Sequence, residues 1–372
     1  MAYGAVSGSW VPRLPAIKEH LGLTDGQVGL ALLAAAVGAI MGAAGARFAL
    51  NHGARFWVRT GTVVLGATLL GPALAGRLVA LLATMVLLGA AAGFLDVIEN
   101  AQAADLERQA KRPLINGFHG FWSLGAMLGS VAAAVAAHAG VAPTLQFLIA
   151  AVVLTVASAP FLRDLPDTHG GIRDPVAGEA TTWRLGAAVG ALAAIAFCGI
   201  VVEGGGGDWS AVYLRDIAHA DPGLAASGYA GFALAMTLVR FGADRLTART
   251  SPELVAALGG LIAAAGLGIA IGLPVVTGAA IGFTLVGAGV AVVIPLAFSA
   301  GANLGRSATA LSLVAASAYA GSIAGPFLIG NVADRLGLRA ALAIPLIAAL
   351  VIIGLARSVR SVTAPTALER SR

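Results

Sequence analysis

From residue 26 onward the chain is a succession of apolar runs, each near the ~20 residues that a helix needs to cross a hydrocarbon core. They fall at 26–46, 57–75, 78–102, 116–138, 141–162, 184–214, 223–241, 253–273, 277–299, 307–331 and 338–357, eleven in all, after a shorter apolar start at 1–15. Such a chain has almost no polar surface to offer water. Charged residues make up 11% of its 372 residues, less than half the ~25% of a soluble domain. The expected class is an all-α polytopic membrane protein. Its 50 glycines, nearly double the usual share of ~7%, fit helices that approach closely through small residues.

The same distribution excludes other classes. The net charge of +5 is spread between apolar runs and forms no stripe for nucleic acid. Cys198, the single cysteine, sits inside an apolar run and reads as a small buried hydrophobe. One cysteine and six scattered histidines give no metal set, no cofactor site and no nucleophile–base pair, so the chain does not read as an enzyme. The opening MAYGAVSGSW lacks the basic segment of a cleavable signal.

The most polar connection, RDLPDTHGGIRDPVAGEATTW at 163–183, divides the chain into a first half, 1–162, and a second, 184–372. Cytoplasmic loops retain Lys and Arg. With this linker in the cytoplasm, only Arg13, Lys18, Arg77, Arg215, Arg335 and Arg339 of the 23 basic residues fall outside. Both termini are then cytoplasmic and the span number is even. The start at 1–15 is therefore a twelfth span, or part of one, and the architecture is two six-helix bundles.

An internal repeat supports that division. GSW at 8–10 and GLAL at 29–32 recur as GDW at 207–209 and GFAL at 231–234, as expected of transporters whose site lies between two related halves. Counterparts of residues 184–199 are missing from the first half, which reads as a helix 1 shortened at its start, with the natural initiation site upstream. The repeat also places the run EGGGGD (203–208) inside a bendable helix rather than a loop. It is no phosphate loop, which needs a following Lys and Ser or Thr. Glu203 becomes a candidate cavity residue and Asp208 a candidate gate.

In LLGAAAGFLDVIENAQAAD (87–105), Gly89, Gly93, Asp96 and Asn100 recur at helical spacing and share a face. Asp96 lies nine residues before Asp105, about 13 Å deeper into the membrane. Intramembrane acids are costly and mark function. Paired carboxylates in a poorly hydrated cavity suit a proton carrier, and Glu99 is the second candidate. The matching stretch 287–301 holds no acid. His119, Trp122 and Ser123 open the next span; His119 reads either as an interface histidine or as a partner of Glu99. No basic residue falls mid-span, Arg13 and Arg240 being nearest to an edge, which favours an uncharged or cationic solute. Trp122 offers a face to a sugar-like ring, whereas Trp10 and Trp209 serve equally as interfacial anchors.

GSWVPRLPAIKEHLGLTDGQVGLAL, GFLDVIENAQ, FHGFWSLG, EGGGGDWSAVYLRD and GPFLIGNVADR together resemble the major facilitator superfamily, in the bacterial branch related to fucose permeases. The resemblance implies a central cavity and alternating access. It places the acid of sugar–proton symporters, four residues before an Asn, at Asp96, with Asn100 and Ala101 completing the pattern; Glu99 departs from it. The loop motif between helices 2 and 3 is degenerate, with Ala49 where an acid belongs, while RFGADRLTAR (240–249) echoes it through Asp244 and Arg245. The expected function is proton-coupled transport of a small neutral, sugar-like solute across the bacterial inner membrane by a monomer. Proton-driven efflux of small organic molecules is the alternative. Asp96 and Glu99 would carry protons, Asn100, His119, Trp122 and Glu203 would line the cavity, and an Arg13–Asp208 pair with Trp209 would close the outer gate.

Overall fold

The computed structural model describes residues 1–50, 54–110, 115–163, 183–304 and 308–360, so most of the linker, and the connections at 51–53, 111–114 and 305–307, lie outside the described residues. All regular structure among the described residues is helical. The N-terminal set is α1 (Ala2–Trp10), a 3-10 turn (Val11–Arg13), α2 (Leu14–Leu21), α3 (Asp25–Leu50), α4 (Ala54–Thr68), α5 (Gly71–Leu74), α6 (Leu78–Ala110), α7 (Ile115–His138) and α8 (Pro143–Arg163). The C-terminal set is α9 (Trp183–Asp216), α10 (Pro222–Arg249), α11 (Pro252–Gly272), α12 (Val276–Val290), α13 (Val293–Asn303), α14 (Ala308–Leu336), α15 (Leu338–Ala341) and α16 (Ala343–Leu355). Ten stretches of the described residues are long and apolar enough to cross a membrane. The protein is an all-α polytopic membrane protein.

The two sets pack by the same scheme. In the first, α1 lies on α7, α3 on α6 and α4 on α8; in the second, α9 lies on α14, α10 on α12 and α11 on α16. Glycine sets these approaches. Gly38 and Gly42 of α3 face the carbonyls of Val86 and Ala90, and Gly89 and Gly93 of α6 return the contact onto Ala35 and Ala39. Any Cβ at these four positions would collide with backbone, so the helices touch main chain to main chain, the contact small residues permit in lipid. Gly89 and Gly93 thus hold α6 against α3, and the face they begin continues to Asp96 and Asn100. Two seams join the sets: α7 packs on α10, and α3 on α14.

Two departures from the apolar runs matter for function. First, α10 runs to Arg249, eight residues beyond the run that ended at 241. Second, the run 277–299 is broken into α12 and α13 at Ala291–Val292. Pro295 accounts for the break, because proline lacks an N–H and its ring crowds the carbonyl four residues back. That carbonyl belongs to Ala291. The glycine run behaves as the repeat implies: α9 continues through Glu203–Asp208 for 34 residues. Each interior glycine costs about 1 kcal/mol of helix propensity, offset here by close packing. Gly205 sits on Pro345, Gly206 on Val286 and Phe232, and Gly207 on Phe232 and Tyr229.

Connections 22–24, 75–77, 139–142, 217–221, 273–275 and Gly337 share one face, tied by bonds such as Thr144 Oγ1 to the Ala73 carbonyl and Arg339 Nε to the Ile271 carbonyl. Arg59, donating to the carbonyls of Leu162 and Arg163, marks the opposite face.

Candidate functional site: a bridged mouth above a charged chamber

The first face is crossed by polar bridges between the two sets. Leading into them, α2 ends at Gly22, whose φ of 61° is a left-handed conformation suited to glycine. Lys18 Nζ lies between Asp25 Oδ1 of α3, at 2.5 Å, and Asp216 Oδ2 at the end of α9. Arg215 Nε meets Glu19 Oε1 at 2.5 Å. Asp334 of α14 accepts from Thr24 Oγ1 at 3.0 Å and from the Gly26 N–H at 2.8 Å. A Cβ on Gly26 would strike that carboxylate. Burial alone would pull the Lys18 ammonium down, but its bonds to Asp216 and Asp25 hold it above its ordinary value, so it stays charged through neutral pH.

This corrects the gate expected from sequence. Arg13 does not meet Asp208: it is buried, and its Nη2 donates to the Val141 carbonyl at 2.5 Å. Trp209 is wholly buried, with its Nε1 unpartnered. The reason is depth. Asp208 lies eight residues, about 12 Å, below the end of α9, so the lip of the mouth falls at Arg215 and Asp216. Asp216→Asn should therefore loosen the mouth. Labelling of a cysteine placed at Met236, in a Cys198→Ser background, should quicken roughly fivefold from this face, the worth of about 1 kcal/mol for a half-buried pair. An unchanged rate would show that the bridge does not hold the mouth.

Beneath the mouth, Arg240 is the organising residue. Its Nη1 donates to Ser123 Oγ of α7 at 2.8 Å, its Nε to the Ala291 carbonyl at 3.3 Å, and its Nη2 lies 3.6 Å from Glu203 Oε2 of α9. The Ala291 carbonyl is the one that Pro295 leaves without a helical donor. Arg240 stands three residues before the end of the span Pro222–Ala243, near the edge as expected, but it turns into the bundle because α10 continues past it to Arg249. Beside it is a cavity of about 20 Å³, room for a water molecule, lined by Trp122, Ser123, Ala126, Glu203, Tyr229, Phe232, Ala233 and Met236. Glu203 Oε2 is buried there without a hydrogen bond.

The acids of α6 do not line this cavity but approach it through Tyr3. Asp96 and Glu99 are half-buried, and Asn100 is exposed, its amide donating to the Asp96 carbonyl at 2.9 Å. Tyr3 of α1 stacks edge-on against Trp122, with centroids 5.9 Å apart, within electrostatic reach of Asp96, Glu99, Tyr319 and Tyr229. Tyr229 in turn lies within reach of Asp208, Glu203 and Arg240. Tyr3, Trp122 and Tyr229 therefore join the carboxylates of α6 to those of α9. His119 is exposed and lies toward Arg240, with no bond to Glu99 among the described residues; its carbonyl accepts from Ser123 Oγ. The side chains of Asp244 and Arg245 lie outside the described residues, although α10 runs through both positions.

Comparison with known proteins agrees with this architecture. An uncharacterized transporter, y4wD, of Sinorhizobium fredii is 34% identical over 344 residues, covering 90% of this chain and 89% of its own. Among solved structures, a point variant of the nucleoside transporter NupG superposes with a TM-score of 0.74 at 14% identity, covering 96% of each chain. A point variant of the E. coli fucose:proton symporter FucP gives 0.62 at 19%, covering 96% of this chain and 95% of that one. The model of the Major Facilitator Superfamily matches residues 1–306. With its helical packing scheme repeated in two sets and a charged chamber between them, the chain belongs to the Major Facilitator Superfamily and is a membrane transporter.

Proposed function

We propose that the protein is a proton-coupled transporter that imports a small neutral, sugar-like solute across the bacterial inner membrane, with Asp96 as the proton carrier. The observation that carries this reading is the charge arrangement of the chamber. Arg240 is already matched by Glu203, while Asp96 has no cation bonded to it among the described residues. A solute then meets a neutral pair, aromatic faces at Trp122 and Tyr229, and a carboxyl free to take or lose a proton.

The basic residues assign the sides. The bridged face holds the six that the positive-inside pattern leaves outside, so it faces the periplasm and both termini face the cytoplasm. The conformer is closed outward. The two six-helix sets, 1–162 and 184–372, rock about the central site, and each chain holds a whole chamber, so a monomer suffices. One proton crossing 100 mV is worth about 2.3 kcal/mol, enough for roughly 50-fold accumulation. The test uses purified protein in liposomes with a pH-sensitive dye and a panel of sugars, polyols and nucleosides. A solute that carries protons inward on addition supports the reading; proton movement opposite to the solute, or none with any transported solute, overturns it.

A further inference from the structure

We propose that the bridged face holds a second site, separate from the chamber: a site for an anionic oxygen group, carboxylate or phosphate, built around Arg13. Arg13 is 4% exposed, and beyond its bond to the Val141 carbonyl its Nε and Nη1 are buried with no partner. A guanidinium out of water and two-thirds unpaired is costly unless a ligand completes it. The side chain lines a cavity of about 230 Å³ with Glu19, Val141, Pro143, Arg215 and Pro222. Pro143 and Pro222 open α8 and α10, of 21 and 28 residues, so the positive ends of two long helices border the space. Asp221 already caps the first turn of α10, whereas the first turn of α8 holds no acid. Glu19 is the one carboxylate of the lining, and Arg215 already holds it. The balance favours an anion.

The lining comes from both helix sets: Arg13, Glu19, Val141 and Pro143 from the first, Arg215 and Pro222 from the second. An anion seated there contacts both and is bound best when the mouth is shut, so its occupancy draws the protein toward the outward-closed conformer. The group could arrive on a free anion or on a lipid headgroup.

The test uses the full chain purified in an uncharged maltoside detergent, with inorganic phosphate titrated against sodium chloride at matched ionic strength. Phosphate should raise the melting temperature saturably, by about 2 °C or more, and Arg13→Gln should remove the rise. Because that variant can fail to fold, a second readout leaves Arg13 in place. Ala16→Cys, on the cavity wall, is made in a Cys198→Ser background and labelled with a neutral maleimide. Phosphate should slow labelling at least fivefold if the ligand is a free anion; phosphatidylglycerol in the micelles should do so without phosphate if it is a lipid. The proposal is overturned if neither slows labelling, or if phosphate stabilises Arg13→Gln as it does the wild type.

Discussion

Asp96→Asn is expected to abolish accumulation driven by a pH gradient, collapsing a roughly 50-fold gradient to equilibration, while solute exchange across the membrane continues. The substitution keeps the shape of the side chain and removes only the proton. Asn100 bonds the Asp96 backbone carbonyl, a contact the substitution leaves in place, so the helix should be undisturbed. Gly89 and Gly93 would still hold α6 on α3 through their contacts with Ala35 and Ala39. Uphill uptake and counterflow measured on the same vesicles separate the two effects. Persistent pH-driven accumulation in this variant would remove Asp96 from coupling, and Glu99→Gln would then be the next variant to measure.

The second large effect concerns Arg240 and Glu203. Removing one partner of a buried ion pair strands the other, at a cost of roughly 3–5 kcal/mol when burial is complete. Here the side chains are 14% and 23% exposed and 3.6 Å apart, so about 1–3 kcal/mol is the better expectation. Arg240→Gln should be worse than Glu203→Gln, since it also releases Ser123 Oγ and the Ala291 carbonyl. Uptake should fall about tenfold to a hundredfold in each single variant. The double variant Arg240→Gln/Glu203→Gln should be less impaired than Arg240→Gln alone, because no unmatched charge remains. A double-mutant cycle on melting temperature and uptake measures this coupling; strictly additive losses would mean the pair does not act as a unit.

What the sequence discloses here follows from the range of each interaction. Runs of apolar residues are local, so eleven spans and the class could be read directly. The apolar run 184–214 is longer than one crossing needs, and only the recurrence of GSW at 8–10 as GDW at 207–209 places Glu203–Asp208 in the helix rather than in a turn. The mouth was misplaced because depth along α9 depends on where it stops, and Tyr213 to Asp216 still belong to it. Lys18 and Asp216 are almost 200 positions apart, and nothing local signals that they meet. Arg240 stands at the edge of the run 223–241, and nothing local shows that its side chain turns into the bundle. A signal did exist in Pro295, which breaks a helix in mid-membrane and leaves a carbonyl in need of a donor, but finding the donor required the packing of α10 on α12.

The way cations are held at the bridged mouth bears on how fast it can work. Lys18 would keep Asp25 if α9 swung away, Arg215 would keep the carbonyl of Ala220, and Arg13 would keep that of Val141. Each positive group has a partner on its own side of the divide. On separation the carboxylates of Asp216 and Glu19, already partly exposed, pass to water while the cations keep a partner, so the expense of an ion stranded out of water adds little to the barrier. A closure built this way is firm enough to hold and cheap enough to release on every cycle, which suits a device that must turn over thousands of times rather than lock once.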